Sequence, residues 1–287
     1  MDKVMVHIEQ LNFQYKQGTE FALQDINLDI REGEFVGIIG NSGAGKTSFT
    51  CALNGMIPHH YAGDFYGVVQ IDGLDTVEVK PVELSRFVGS VFQDVDAQMV
   101  AAMVEDEILF GLENFQVPRE EIEERIQTSL QTIGIEHLRY RNISTLSGGQ
   151  KQKVAIAAII ALRPRLLVLD EPTGELDPAS SRQIFEMLRM LNQEYGMTIV
   201  VVEQKIMLLC EFVKRLIVLE QGRVEYDGET REVLKYKREL EALGVNVPRI
   251  VTLADALKVR GYEVGQVPLN LSEAKSMVEE VMEHAGI

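Results

Sequence analysis

Apolar and polar residues alternate along two segments near the start of the chain. Val4 to Tyr15 and Phe21 to Ile30 show partial two-residue alternation, and a Gln-Gly-Thr turn separates them, which predicts two antiparallel strands of a small sheet. Glu34 to Ile39 is a short, mostly apolar segment that leads into a glycine-rich stretch, and a helix is predicted from Lys46. The first fifty residues therefore combine a small sheet with a strand, a loop and a helix.

The middle of the chain has helical periodicity instead. From Pro118 to about Gly134, apolar side chains recur at the spacing of one helix face, and acidic residues stand at the start, where the helix dipole favours them. The apolar positions are Ile122, Ile126, Leu130 and Ile133. We expect a helical insert here.

Strands and helices alternate again in the second half. Apolar strands are predicted at Leu166 to Leu169, Thr198 to Val202 and Leu216 to Leu219, and helices are predicted from Ala179 and from Lys205. Such alternation indicates a parallel sheet with helices on its faces. The expected fold class is α/β.

A chain of 287 residues can form one large α/β domain with a small appendage, or two unequal domains. The composition changes after residue 244, and helices are predicted near Leu253 to Arg260 and Ser272 to Glu283. The expected regions are a main domain over 1–244, a helical subdomain within it at about 94–162, and a small carboxy-terminal module over 245–287. Dimerisation is one interpretation of that module.

Composition argues against several classes of function. The apolar runs fall well short of the roughly 20 residues of a membrane-spanning helix, and the amino terminus lacks the basic and apolar regions of a signal peptide. The two cysteines, Cys51 and Cys210, are interpreted as buried thiols in a reducing cytosol. The net charge of −16 repels polyanions, so no nucleic-acid partner is expected.

The glycine-rich stretch reads Gly40-Asn41-Ser42-Gly43-Ala44-Gly45-Lys46-Thr47 and matches the pattern of a P-loop. In such a loop the glycines let backbone amides close around phosphates, the lysine reaches the terminal phosphates and the threonine takes Mg²⁺. A glycine-rich turn that only caps a helix is the alternative, and the strand before the loop argues against it.

Two carboxylates, Asp170 and Glu171, end the apolar strand that follows Arg165. In that position the first can hold Mg²⁺ and the second can polarise a water, although many buried strands end in an acidic residue. Between this strand and the P-loop lies Leu146-Ser147-Gly148-Gly149-Gln150. Such a pentapeptide arises by chance in about one chain in a few thousand, so it carries most of the information about the family.

Taken together, these motifs resemble the ABC ATPase family over about Val4 to Glu229. The matching pieces follow in the family's order: Tyr15, the P-loop, Gln93 in Val91-Phe92-Gln93, the pentapeptide (the signature), Leu169-Asp170-Glu171-Pro172-Thr173 and Leu176-Asp177-Pro178. The resemblance implies a cassette with a parallel core sheet, a small antiparallel β subdomain and a helical subdomain that carries the signature.

The resemblance also implies roles for single residues. Tyr15 would stack on adenine, with an exposed strand aromatic as the alternative, and Asp177 would communicate between two sites. The signature would face the nucleotide of a partner subunit. The nucleotide-binding set is Tyr15, Asn41, Ser42, Gly43, Ala44, Gly45, Lys46, Thr47, Ser48, Ser147, Gly148, Gly149 and Gln150. The metal-binding set is Thr47, Gln93 and Asp170, and the catalytic set is Glu171, Gln204 and Gln93.

One position departs from the family pattern. After the strand Thr198 to Val202 the family has a histidine that contacts the γ-phosphate, whereas this chain has Gln204. Glutamine donates a hydrogen bond but carries no positive charge and exchanges no proton. Gln204 therefore argues against hydrolysis at this chain's own P-loop.

Within the family, several segments are similar to the ATPases of energy-coupling-factor (ECF) transporters, which take up vitamins and transition-metal ions. These segments are Leu53 to Pro58, Phe92 to Gln98, and, in the tail, Val247 to Leu253 together with Pro268-Leu269. The resemblance implies that Asp96 and Gln98 lie in a groove for the membrane partner's coupling helix. A solvated loop is the alternative.

The sequence thus predicts an ATP-hydrolysing subunit of an ECF-type importer that uses ATP and Mg²⁺. Its expected partners are a second ABC ATPase subunit and an integral membrane subunit, at the cytoplasmic face of the cell membrane. A catalytically weakened regulatory subunit in a heterodimer and an ATPase of another ABC transporter class are the alternatives. An ABC protein acting on ribosomes or DNA is disfavoured by the length and the charge. A metal site at His59 and His60 is disfavoured because no further ligands are apparent.

Overall fold

A computed structural model of the chain describes residues 3–285. The strands are β1 (Val4–Tyr15), β2 (Leu23–Arg31), β3 (Phe35–Ile39), β4 (Gly63–Ile71), β5 (Leu74–Asp75), β6 (Val88–Val91), β7 (Leu166–Asp170), β8 (Thr198–Val202), β9 (Arg215–Glu220) and β10 (Arg223–Glu229). The helices are α1 (Lys46–Leu53), α2 (Met56–His59), α3 (Pro81–Leu84), α4 (Val95–Gln98), α5 (Val104–Asn114), α6 (Arg119–Ile133), α7 (Gly148–Ile160), α8 (Pro178–Tyr195), α9 (Ile206–Phe212), α10 (Thr230–Val233), α11 (Lys237–Ala242), α12 (Arg249–Val259) and α13 (Leu271–Ala285).

The larger sheet has the strand order β10-β9-β3-β8-β7-β6. Strands β9, β3, β8, β7 and β6 are parallel, and β10 pairs antiparallel with β9. All residues of β3, β7 and β8 are buried, which explains why these strands are continuous apolar runs in the sequence. The predicted α/β fold with a parallel sheet is confirmed.

Each central strand contributes to two separate cores, one on each face of the larger sheet. Leu167 and Leu169 of β7 point into a core formed with helices α5 to α9. Leu166 and Val168 of the same strand point into a second core, which also contains residues of α1 and of the smaller sheet. Covering both faces leaves only the ends of the strands open for a site.

The smaller sheet is antiparallel, with the order β2-β1-β4-β5. The two predicted strands are present, but β2 begins at Leu23 and not at Phe21, which is 40% exposed. The sequence pattern missed β4, because Gly63, Asp64 and Gly67 interrupt a segment that would otherwise have strand character.

The helices at the carboxyl end start earlier than the pattern predicted, at Arg249 and at Leu271. Ile250 of α12 and Ala274 of α13 are buried in the same core as α5 to α9. Arg231 donates to the Glu273 carboxylate at 2.9 Å and lowers the pKa of that carboxyl. Both packing and charge therefore attach this segment to the rest of the chain, and the boundary expected at 244/245 stays a prediction.

Cys51 and Cys210 are both buried free thiols, as predicted. Burial raises the pKa of Cys51 to about 11 and that of Cys210 to about 12. Both thiols are therefore protonated and unreactive near neutral pH.

Within residues 3–285, none of the helices combines the length and the apolar character needed to cross a membrane.

The close approach of β6 to α7 gives a test of the core packing. A Cβ on Gly89 would overlap the Ile159 side chain and lie 3.1 Å from Pro164 Cγ. We expect Gly89→Ala to lower the free energy of unfolding by about 1–3 kcal/mol in chemical denaturation, because the added methyl group overpacks this contact.

Gly111→Ala in α5 is the matched control, since its Cβ would lie 3.9 Å from the nearest side chain. There the free energy of unfolding should stay the same or rise by about 0.5–1 kcal/mol, because alanine is the better helix former. Equal losses for the two variants would contradict the packing argument.

Candidate functional site

The predicted motifs converge because they follow neighbouring parallel strands. The P-loop follows β3, Gln93 follows β6, Glu171 follows β7 and Gln204 follows β8. The strands are in register at this end, since Val202 pairs with both Ile38 and Asp170. The carboxyl ends of parallel strands share one edge of a sheet, and ligands of such folds bind there.

The P-loop adopts a backbone conformation that requires glycine at specific positions. Gly43 and Gly45 have φ angles of 81° and 99°, in the left-handed region that residues with a Cβ rarely adopt. A Cβ on Gly45 would also lie 2.5 Å from the carbonyl oxygen of Ala22. Gly45 is the N-cap of α1, so the free amides of the first helical turn border the loop, as phosphate binding requires.

Lys46 places its charge inside this loop. The side chain is 7% exposed, and its Nζ donates to the carbonyl oxygens of Gly40 and Asn41 at 2.8 Å each. An ammonium group has three donors. The lysine is thus held beside the loop by two neutral acceptors, with no carboxylate to neutralise it in these contacts.

Asp170 ends β7 and is 6% exposed. Burial raises the pKa of its carboxyl and the neighbouring Glu171 charge acts in the same direction, whereas the nearby Thr47 hydroxyl and the Lys46 charge lower it. Oδ2 accepts a long hydrogen bond of 3.5 Å from Thr50 Oγ1, and the buried Oδ1 has no partner among the described residues. A buried carboxylate oxygen without a partner, beside a threonine hydroxyl, fits a magnesium ion.

Glu171 lies next to Asp170 with its carboxylate held by two side-chain amides. Gln204 Nε2 donates to Oε1 at 2.8 Å, and Gln93 Nε2 donates to Oε2 at 3.2 Å. The φ angle of Glu171 is 48°, which is uncommon for a residue other than glycine and is found at functional sites. The structure therefore brings Gln93 and Gln204 each into direct contact with Glu171, the third predicted catalytic residue.

Tyr15 lies at the end of β1, close to the first helix of the loop. Its hydroxyl is 2.9 Å from Ser48 Oγ in α1. Its ring packs edge-on against Phe13 at 4.8 Å and against Tyr61 at 6.1 Å between centroids. These contacts place Tyr15 beside the P-loop, and stacking on adenine stays a prediction.

The signature begins α7, and its polar residues cap that helix. Ser147 Oγ accepts from Gln150 N at 3.3 Å, and Gln150 Oε1 accepts from Ser147 N at 3.0 Å, which together form a capping box. A Cβ on Gly148 would lie 3.3 Å from Leu176, and one on Gly149 would lie 3.2 Å from Ser180. The glycines therefore allow the start of α7 to pack closely against the segment that leads into α8.

Several P-loop side chains that were predicted to bind nucleotide make contacts within the protein. The Asn41 amide donates to the carbonyl oxygen of Leu243, and a Cβ on Gly244 would lie 2.6 Å from Asn41 Nδ2. Ala44 is buried and its carbonyl oxygen accepts from Gly222 N at 3.0 Å, whereas Ser42 is exposed. The Asn41 side chain and the Ala44 carbonyl thus have partners within the protein, and the nucleotide contacts of Asn41, Ser42 and Ala44 stay predictions.

The residues predicted for the membrane groove have partners within the chain. Gln98 spans the loop after β6, since its side chain accepts from Phe92 N and donates to Ser90 O, each at 3.1 Å. Asp96 forms an ion pair of 2.6 Å with Lys151 of the signature helix. This segment therefore connects the site to α7 through Gln98 and Asp96, and its role as a groove for the membrane partner stays a prediction.

Comparisons with known proteins agree with this geometry. Residues 23–174 match the family model described as "ABC transporter". The energy-coupling factor transporter ATP-binding protein EcfA2 of Clostridium perfringens is 36% identical over 284 residues, which cover 96% of this chain and 98% of the relative. The chain belongs to the ABC transporter family, as one of its ATPases.

Two solved structures of ABC proteins have the same fold. cbiO1 of Clostridium perfringens, part of the ABC transporter complex cbiONQ, aligns with a TM-score of 0.76 and 32% identity over 88% of this chain and 100% of that chain. The ATP-binding cassette MJ0796, solved as a dimer in a post-hydrolysis state with ADP and Pi, aligns with a TM-score of 0.68 and 32% identity over 79% and 99%. The chain is therefore an ATP-binding cassette of the kind that hydrolyses ATP.

Sequence reasoning missed three polar residues around the ATPase site. Thr50 contacts Asp170, and Glu203 and Lys205 flank Gln204. Glu203 is 1% exposed. The charges on either side of the switch position were visible in Val202-Glu203-Gln204-Lys205, but their partners are about 30 residues away in the chain, and no local pattern identifies such partners.

Asp177 and His59 also have local contacts within the chain, and the role of Asp177 between two sites stays a prediction. Asp177 is the N-cap of α8, and its carboxylate accepts from Ala179 N at 2.9 Å and from Ser180 N at 3.1 Å. His59 contacts the carbonyl oxygen of Thr76 at 2.9 Å. Among the residues that the structure describes, no cluster of three or more histidine, cysteine or carboxylate side chains could hold a metal ion.

The contact between Gln204 and Glu171 predicts how the ATPase responds to changes at the switch position. Gln204→Ala should lower kcat by about tenfold to a hundredfold with KM nearly unchanged, because the carboxylate loses the amide that orients it. Gln204→His should raise kcat by about tenfold to a hundredfold, because imidazole also exchanges a proton. Steady-state ATP hydrolysis by the assembled dimer measures both. A rate unaffected by Gln204→His would show that glutamine is an adequate substitute.

Proposed function

We propose that this ABC ATPase is the motor subunit of an ECF-type importer, which closes on ATP against a second ATPase subunit and drives uptake of a vitamin or a metal ion through an integral membrane subunit. The observation that carries the proposal is the Glu171 carboxylate, held by Gln93 and Gln204. Similarity to EcfA2 and to cbiO1 over nearly the whole chain supports the ECF class.

In this proposal the P-loop amides and Lys46 bind the phosphates of ATP. Glu171 orients the attacking water and accepts its proton at a carboxylate oxygen, while the two amides keep that carboxylate in place. Thr47, Gln93 and Asp170 are the residues that would hold Mg²⁺, which supplies charge neutralisation at the phosphates. The ring of Tyr15 stacks on the adenine of ATP.

The signature residues complete the site of the partner subunit. Ser147 and Gly148 are exposed at the amino-terminal end of α7, where the helix dipole favours a phosphate. The dimeric state of the related cassette MJ0796 supports this arrangement. One chain then contributes two half-sites, its own P-loop and its signature.

The membrane subunit would bind in a groove next to Gln98. This groove has a volume of about 420 Å³, and Val82 and Phe92 on its wall are 70% and 38% exposed. Exposed apolar side chains around a groove are typical of a protein interaction site. Phe92 on the groove wall is the chain neighbour of Gln93, so a partner helix seated there would be one residue away from an amide that holds Glu171.

The chain would then act at the cytoplasmic face of the membrane.

Its regions would be a cassette over 1–244, with a helical subdomain at about 94–162, and a carboxy-terminal module over 245–287 that contributes to the dimer. Support for the last point comes from Val259 and Leu271, which are each 72% exposed in that module.

A catalytically weakened, regulatory subunit is the second candidate function. Gln204 favours it, because an amide cannot exchange a proton with the phosphate or the base. In that case the chain would bind ATP and close the dimer while most hydrolysis occurred at the partner's P-loop.

The variant Glu171→Gln tests the proposed function. It should bind ATP nearly as well as the parent and remain a closed dimer in analytical ultracentrifugation, while hydrolysis falls by about a hundredfold to ten-thousandfold, because the phosphate contacts remain and the base is lost. Glu194→Gln, at an exposed position of α8, is the control and should behave as the parent. Unchanged turnover in the assembled transporter would favour the regulatory subunit.

The groove has its own test. Val82→Glu should lower co-purification with the membrane subunit and transport in reconstituted vesicles by about tenfold or more, because it buries an unpaired charge at the interface. ATP affinity should not change. Tyr66→Glu, at a 57% exposed position of the smaller sheet, is the control. If both variants assemble as the parent does, the membrane subunit binds elsewhere.

A further inference from the structure

Glu203 is a buried carboxylate next to the switch residue Gln204. It accepts hydrogen bonds from Thr173 N at 3.0 Å, from Gln204 N at 2.8 Å and from Lys205 N at 3.2 Å, and also from the Thr173 hydroxyl. A carboxylate that is 1% exposed is costly unless its oxygens are satisfied. Here four donors satisfy it, and two of them belong to Thr173, in the segment after Glu171.

Lys205 contacts the same segment from the other side of Gln204. Its Nζ donates to the carbonyl oxygens of Thr173 and Leu176 and, at 2.9 Å, to the Ser181 hydroxyl. An ammonium group has three donors, so these acceptors use all of them. Glu203 and Lys205 therefore both hold the segment 173–176, which we call the clamped segment, and Gln204, which lies between them in the chain, is tied to Glu203 through its backbone amide.

The clamped segment and the residues that follow it pack against the signature. Leu176 lies against Gly148, and Ser180 lies against Gly149, at the positions where a Cβ would come within 3.3 Å and 3.2 Å. A movement of Gln204 at the ATP site would therefore shift the segment 173–176, and the segment would in turn shift the start of α7. Close packing transmits such displacements because the interior has little free volume.

We propose that Glu203 and Lys205 are positioning residues that couple this chain's own ATP site to its signature, so that the state of one half-site sets the geometry of the other. The proposal deepens the function proposed above and rests on it, because the signature acts in a partner's site only if the ATPase dimerises. Neither residue contacts the reacting groups in this role.

Three variants, Glu203→Gln, Lys205→Met and the double variant, test this coupling in the full-length dimer. Each single variant should lower kcat by about tenfold to a hundredfold while KM for ATP stays within about twofold, because the P-loop contacts are untouched and only the alignment of the site changes. The double variant should be no slower than the slower single variant, since both residues act on one segment. Lys205→Arg, which keeps the charge, should recover part of the loss.

Hydrogen exchange supplies a measurement that does not depend on turnover. ATP should protect the amides of residues 147–151 and 173–181 in the parent, and this protection should fall by about tenfold in the variants as hydrogen bonds to the segment are lost. If Glu203→Gln does not fold, Lys205→Met gives the same comparison. The Lys205 side chain is only partly buried, so its replacement disturbs the fold less.

Glu107→Gln is the matched control. Glu107 is a carboxylate of α5 that is 8% exposed and accepts from Val100 N and Ala101 N at 2.9 Å and 2.7 Å, without contact to the clamped segment. It should lower the Tm but leave kcat and the protection of 173–181 as in the parent.

The outcomes separate the coupling from the proposed function. Parental kcat and protection in Glu203→Gln and Lys205→Met, or losses equal to those of Glu107→Gln, would overturn the coupling while the ATPase function stands. A parent that hydrolyses no ATP but transmits ATP-dependent protection to 147–151 would overturn the proposed function and support the coupling.

Discussion

The parallel pairing of β3, β8, β7 and β6 is the constraint on which the site depends. Both faces of these strands are covered, so their carboxyl ends are the exposed ends at which polar groups can gather. Pairing in register then places the P-loop, Gln93, Glu171 and Gln204 side by side, although they lie up to about 160 residues apart in the chain. A shift of one strand by a single residue would turn its buried side chains to the opposite face.

The polar contacts at this edge form two layers. The layer at the strand ends contains Lys46, Asp170 and Glu171, and its geometry leaves Asp170 Oδ1 without a partner among the described residues. Behind it, Glu203 and Lys205 are fully satisfied by backbone and hydroxyl groups. The first layer thus keeps an unsatisfied polar atom for a ligand, whereas the polar groups of the second are satisfied within the protein, as preorganised sites require.

The sequence predicted the positions of the motifs well, because each motif is local and follows a strand that its apolar run identifies. It predicted the interactions among them less well. The capping box of Ser147 and Gln150 was visible as a serine followed three positions later by glutamine, yet Gln150 was assigned only to the nucleotide. Glu203 and Lys205 were missed because a buried charge is explained by partners that only the tertiary fold supplies.

The contact between Asn41 and the carbonyl oxygen of Leu243 makes the P-loop a neighbour of the chain's last third. Gly244, with a φ angle of 73°, leaves space for that amide where any side chain would collide with it. For protein engineering, exchange of carboxy-terminal segments between related ATPases would have to keep the turn at 243–244 with the cassette. A junction placed only a few residues earlier would transplant part of the nucleotide site's support along with the tail.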